Sequence, residues 1–227
     1  MDDNVLPRDK AAAGTKADRT RARLVDAAID EFAEFGFHDA KVSGIVARAG
    51  VSQPSFYLYF RTKEAIYGHL IQRVHDELLD VIEGARLPAS VPPSAVSEKV
   101  RIAIEAFLQY FADNPKLAQI GYFADGPSSA IRDEIVALVS RNISFEQGAG
   151  YFRQELDPVF VSHCYNGSLE RLIKVYLLSG QYDARELSAK VADVYMRGFL
   201  ASDIVEPLAP ALQPSPDTAR SLQAKSA

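Results

Sequence analysis

The chain has 227 residues, 48% of them apolar and 24% charged, with a net charge of −5 and a single cysteine. That make-up is ordinary for a soluble globular protein of one or two domains with a sizeable core. No apolar run approaches the roughly 18–20 residues that span a membrane, the first residues lack a signal peptide's apolar segment, and Cys164 alone excludes an intramolecular disulfide and fits a reducing cytoplasm.

Residues 1–17 are polar and without periodicity, so they are predicted to be a disordered arm. Arg8, Lys10, Lys16, Arg19, Arg21 and Arg23 make that end basic; it is either a solvated tail or a contact to phosphates or a minor groove. Thr20 or Asp18 can cap a first helix whose core stripe is Leu24, Ala28, Phe32 and Phe35, and Gly36 ends it. From Lys41 to Lys63 the spacing predicts a short helix with Val42, Ile45 and Val46 on its apolar face. Gly50 then stops it in the left-handed conformation, Ser52 caps a second short helix, and Pro54 stands in its first turn. Val51 and Phe56 have the spacing of a hydrophobic staple, which sets the angle of the second helix. Two short helices fixed by a glycine turn are a helix-turn-helix, and the second would enter a DNA major groove. The stretch holds four cations, Lys41, Arg48, Arg61 and Lys63, and no acid, a local basic face on an acidic chain.

These residues resemble the TetR family of bacterial transcription regulators. Leu24 to Phe37 (LVDAAIDEFAEFGF) looks like that family's first helix. Ile45 to Ile66 (IVARAGVSQPSFYLYFRTKEAI) looks like its second and third helices and the start of its fourth. The resemblance covers roughly residues 20–70. Two positions depart from it: Lys41 stands where the family usually has a Thr that caps the second helix, and Leu58 where it often has a polar or His residue near DNA. Asp39 or Ser43 is then expected to take over the cap.

The next helix, capped by Thr62 with Glu64 in its first turn, runs to about Ala85 on a stripe of Ile66, Leu70, Val74, Leu78 and Val81. Three prolines make Leu87 to Ser94 a loop. Val100, Ile104, Phe107, Leu108 and Phe111 stripe a helix that Asn114-Pro115 ends, and a short helix over Lys116–Ala124 stops at Asp125-Gly126-Pro127. Ile131, Ile135, Leu138 and Val139 stripe the following one. Asp157-Pro158 opens a helix through Leu178 with Leu169, Leu172, Ile173, Tyr176 and Leu177 inward. Asp183 starts the last, with Leu187, Val191, Val194 and Phe199 on a face. Four prolines from Pro207 on argue for a disordered tail. The fold class is therefore all-α with about nine helices. A disordered arm (1–17), a helix-turn-helix domain (18–64), a larger helical effector-binding and dimerisation domain (65–204) and a disordered tail (205–227) follow in order. The resemblance implies the same plan, with a homodimer through the helices near 158–178 and 183–202.

In the recognition helix Phe56, Tyr59 and Phe60 face the first helix, while Gln53, Ser55, Tyr57 and Leu58 face away. Gln53 and Ser55 can pair with base edges or phosphates, and Ser43 lies where helix-end amides can hold a phosphate. By resemblance, Tyr57 and Lys63 meet the DNA backbone. In the second domain Phe107, Tyr110, Phe111, Tyr122 and Phe123, with the polar His163, Asn166 and Arg171, are candidates for an effector site, although aromatics at helical spacing are more often core. No metal, nucleophile or phosphate-loop pattern occurs, so no cofactor and no enzyme activity are expected. The reading is a cytoplasmic, ligand-responsive repressor that binds a pseudo-palindromic DNA operator as a dimer and is released by a small hydrophobic or amphipathic effector. Its rivals are an effector-independent architectural DNA-binding protein and an all-helical ligand carrier or enzyme.

Overall fold

The computed structural model describes residues 15–124 and 128–198. Arg8, Lys10, the Asp125-Gly126-Pro127 break, Phe199 and the proline-rich tail lie outside them. Among the described residues all regular structure is helical: α1 (Lys16–Asp39), α2 (Val42–Ala49), α3 (Gln53–Tyr57), α4 (Lys63–Gly84), α5 (Val96–Asp113), α6 (Pro115–Gly121), α7 (Ser128–Gly148), α8 (Pro158–Leu172) and α9 (Ala184–Arg197). By their contacts the residues up to Ala192 form one unit; of the second, Asp193 to Arg197 complete α9.

α1 begins earlier than the sequence suggested. Thr15, rather than Thr20 or Asp18, is the cap: its hydroxyl accepts from the Asp18 N–H at 3.2 Å and the Asp18 carboxylate accepts from the Thr15 N–H at 2.9 Å. This reciprocal box satisfies two end donors and carries helix into the stretch expected to be disordered. Thr20 instead donates to the Lys16 carbonyl inside the helix. Gly36, at φ +71°, interrupts α1 before a last turn to Asp39. Leu24, Ala28 and Phe32 are buried as the periodicity required, but Phe35 is 46% exposed, with the Arg48 guanidinium 5.9 Å above its ring.

α4 is the hub and packs on α1, α5, α6 and α7. Its buried stripe is Ile66, Leu70, Val74, Leu78 and Ile82, an unbroken i+4 row in which Ile82 takes the place expected for Val81. α6 packs on both α1 and α4. Tyr67 of α4 donates to the Ile120 carbonyl at 3.1 Å. A Cβ on Gly121 would lie 2.5 Å from a methyl of Val74, so only glycine permits this approach. On α1, Asp30 accepts from Lys116 of α6 at 2.7 Å.

Although irregular, the Leu87–Ser94 loop is anchored. Leu87 and Val91 are buried against Val96, and the Tyr151 hydroxyl accepts from the Val91 N–H and donates to the Pro88 carbonyl. α8 is capped by Asp157 and passes into a π-turn at Ile173–Leu177, where a continuous helix was expected. In α9, Leu187 and Val191 are buried, whereas Val194 is 39% exposed.

Candidate nucleic-acid interface and ligand groove

The turn between α2 and α3 forms as its residues dictate. Gly50 takes φ +61° and its N–H returns to the α2 carbonyls, which a side chain would resist. Ser52 then caps α3: its hydroxyl oxygen accepts from the Ser55 N–H and lies 2.9 Å from the Ser55 hydroxyl, with Pro54 in the first turn. α3 is only five residues long. Beyond it the Tyr59 and Phe60 amides both return to the Phe56 carbonyl, at 2.9 and 3.0 Å. Phe56 is fully buried and Phe60 nearly so, their ring centres 5.9 Å apart, so the backbone between them is pinned from beneath. On the outside, Gln53 is exposed, Tyr57 is half exposed and Leu58 is 82% exposed; Ser43 is exposed at the start of α2, and Ser55 is half-buried on its Ser52 partner.

The four cations of this stretch divide into two pairs. Lys63 does not face outward. Its ammonium donates to the carbonyls of Phe37 (2.6 Å), Ala40 (3.0 Å) and His38 (3.1 Å) and lies 4.7 Å above the Phe37 ring. An ammonium has three N–H donors, and all three close the C-terminal end of α1. The resemblance implies a phosphate contact for this lysine; in this structure its ammonium caps the end of α1. Arg48 bonds Glu31 at 2.9 Å and Glu34 at 2.5 Å, and its pKa is pushed up by the Glu34 hydrogen bond first and that of Glu31 second. Lys41 and Arg61 are exposed, and their charged groups hold no partner among the described residues. From the basic arm, Arg23 donates to the carbonyls of Ala49 and Gly50 and closes the C-terminal end of α2. Arg21 lies 5.2 Å over the Phe60 ring, with His69 at 3.2 Å. Burial, then the neighbouring Arg21, holds the His69 pKa below its ordinary value.

The α2 cap is also a correction. Neither Asp39 nor Ser43 fills it; Lys41 is the cap residue and makes no side-chain cap bond. Its N–H donates instead to Glu31 Oε1 of α1 at 3.2 Å. Glu31 is 4% exposed, and a Cβ on Gly44 would fall 2.1 Å from its carboxylate oxygen. Glycine at position 44 thus makes room for an acid reaching across from another helix. The sequence held one cue to this residue: an acid at position 31, beside the Leu24–Ala28–Phe32 stripe, with a glycine in the first turn of the next helix.

The effector candidates separate. Phe107, Tyr110, Phe111 and Tyr122 are buried. Phe111 is the centre of the cluster, with Phe107, Tyr122 and Phe123 at 5.1, 4.9 and 5.7 Å. These mixed edge and tilted contacts are ordinary core packing. Among the described residues the buried Tyr110 hydroxyl has no hydrogen-bond partner, and its pKa is raised by burial first and by the charge of Glu77 second. Asn166 is buried but donates to the Ser162 carbonyl at 2.8 Å of its own helix. His163 and Arg171 are exposed on α8, so the structure does not bring them to the aromatic cluster. An open groove of about 370 Å³ lies between α6 and the π-turn, lined by Pro115, Lys116, Gln119, Phe123, Lys174 and Leu178. Lys174 sits 4.7 Å above the Phe123 ring and bonds Glu170 at 3.0 Å. Of the sequence candidates only Phe123 lines this groove.

Residues 24–70 match the family model described as bacterial regulatory proteins, tetR family. An uncharacterized HTH-type transcriptional regulator of Bacillus subtilis, YdgC, is 38% identical over 82% of this chain and 95% of its own length. The fatty acid metabolism regulator protein of the same organism is 25% identical over 78% of this chain and 94% of its own. Among solved structures, the fatty acid degradation regulator FadR from Bacillus halodurans is similar with a TM-score of 0.66 at 25% identity, over 82% of this chain and 98% of that one. FadR from B. subtilis, solved with stearoyl-CoA, shares the fold with a TM-score of 0.65 at 22% identity, over 79% of this chain and all of that one. A helix-turn-helix with a capped recognition helix, on an all-helical frame shared along nearly the whole of such a relative, leaves one conclusion: the chain belongs to the TetR family of DNA-binding bacterial transcription regulators.

Proposed function

We propose that this protein is a cytoplasmic, ligand-responsive repressor that binds a pseudo-palindromic operator as a homodimer. Residues 18–64 serve as the DNA-binding part and residues 65–204 as the effector-binding and dimerisation part. The observation that carries the reading is the pinned outer edge of the recognition helix, where Gln53, Tyr57 and Leu58 stand exposed over a buried Phe56. Dimerisation through the helices near 158–178 and 183–202 is supported by the outer face of α8. There Val159 is 52% and Phe160 67% exposed, and Gly167 has open space where a Cβ would stand. The effector is an amphipathic molecule with an anionic head. Support comes from the groove, whose Phe123 and Leu178 are apolar and whose Lys116 and Lys174 are cationic. Relatives named for fatty acid metabolism, and one solved with stearoyl-CoA, point the same way. Such a ligand lowers operator affinity only by binding the DNA-free conformation more tightly, and the coupling is reciprocal.

The test is selection of binding sites from a random duplex library, with the wild type beside Tyr57→Ala/Arg61→Ala, followed by titration of long-chain acyl-CoA on the selected site. An inverted repeat, weakened in the variant and released by ligand, is expected. Salt-sensitive binding to every duplex alike would favour an architectural role, and a ligand that binds without changing operator affinity would defeat the release mechanism.

A further inference from the structure

Among the exposed large hydrophobic side chains of the described residues, Leu58 at 82% is the most exposed. A single surface leucine needs no explanation in general. This one differs in how it is held. It stands at the C-cap of α3 in helical conformation (φ −72°, ψ −24°), and the two amides that follow it close on the Phe56 carbonyl. Buried Phe56 lies two residues before it and buried Phe60 two after, so the backbone cannot swing the leucine into the core. Beside it in the chain stand Tyr57, whose ring is set edge-on against Phe56 at 5.4 Å, and, three residues on, the exposed Arg61. No acid lies between Lys41 and Lys63. An apolar side chain held rigidly on a DNA-facing edge cannot read hydrogen-bond donors or acceptors. The one apolar feature of the major groove is the thymine 5-methyl.

We infer that Leu58 is a specificity residue that packs on the 5-methyl group of a thymine, fixing an A·T pair at one position of each half-site. The inference rests on the regulator reading and goes beyond it by naming the base atom that is read. Tyr57 and Arg61 hold the backbone beside it, so the leucine adds sequence preference and little to general affinity.

The measurement separates the two claims. Once a site has been selected from random duplexes, each thymine is replaced in turn by deoxyuridine, which removes the methyl and leaves every hydrogen bond of the pair in place. Wild type is expected to lose affinity about fourfold at one thymine per half-site, and on the order of tenfold when both are replaced, the value of burying about one methyl group each time. Leu58→Ala should bind thymine and uracil duplexes equally and more weakly than wild type binds thymine, and should melt with the wild type because so little of the side chain is buried. A wild type indifferent to every uracil replacement, or the same loss in Leu58→Ala, overturns the inference while leaving the regulator reading intact. If no sequence is enriched at all, the regulator reading falls and the inference with it.

Discussion

Replacing Lys63 by methionine keeps the length and most of the apolar stem of the side chain and deletes only the ammonium. Three carbonyls of the α1 end, at 2.6 to 3.1 Å, then lose their donor. A charge-assisted bond contributes about 1.5–3 kcal/mol when fully buried. This lysine is half-buried, and the freed carbonyls can turn to water. The sum is therefore about 2–3 kcal/mol rather than three full bonds. For a protein of this size that is a fall in Tm of about 5–10 °C. DNA binding should respond differently. If Lys63 serves the fold, the dependence of log K on log salt at the selected operator keeps its slope once the variant is folded. Lys41→Ala or Arg61→Ala should do the reverse: no change in Tm, and a slope flatter by about 0.9 per protomer, or about 1.8 in a dimer. Thermal unfolding followed by circular dichroism, together with binding isotherms at four salt concentrations, decides the matter. A Lys63→Met protein with unchanged Tm and a slope reduced by about 1.8 would show that the lysine leaves the carbonyls for phosphate, and would refute the division of the cations.

Gly44→Ala is expected to destabilise by about 2 kcal/mol, because the new Cβ displaces Glu31 from both the Lys41 N–H and Arg48. In a Glu31→Ala background the same change should be neutral or stabilising by up to about 1 kcal/mol, since alanine is the better helix former; an equal cost in both backgrounds would sink the packing explanation. His75 bonds Asp76 at 3.0 Å and Glu134 of α7 at 2.7 Å, and these partners, Asp76 first, raise its pKa. A raised folded pKa means that this pair adds stability below the ordinary histidine value and loses it as pH rises through the folded one. His69, with its pKa lowered, acts in the opposite sense. Chemical denaturation between pH 5 and pH 8, in about half-unit steps, should show His75→Gln lacking the loss on the alkaline side and His69→Gln lacking the loss on the acid side; variants that both follow the wild-type curve would contradict the assignment.

What could be read from sequence was what neighbours in the chain decide. The turn is a matter of Gly50 and Ser52 and their immediate amides, so it was legible, as were the i+4 stripes of α1 and α4. What was hidden depends on residues distant in sequence. The α2 cap comes from Glu31, ten residues before the amide it accepts from. Lys63 reaches back to carbonyls 23 to 26 residues earlier. A lysine after a recognition helix looks the same in sequence whether its ammonium points to DNA or to a helix end. On α8 the inward face of Leu169, Ile173 and Leu177 was legible, and it is this face that also buries Asn166, while His163 and Arg171 lie off it and are exposed. The π-turn at Ile173–Leu177 shifts the phase of the helix.

The charged caps described above have a mechanical consequence. Glu31 joins the body of α1 to the start of α2, Arg23 joins α1 to the end of α2, and Lys63 joins the start of α4 to the end of α1. Two of these braces tie α1 to α2 and the third ties α4 to α1, so the helices on either side of α3 are both held to α1 by hydrogen bonds as well as by packing. α6 is bonded to α1 through Lys116 and Asp30 and to α4 through Tyr67 and the Ile120 carbonyl, so a displacement of α6 would load both of these helices at once.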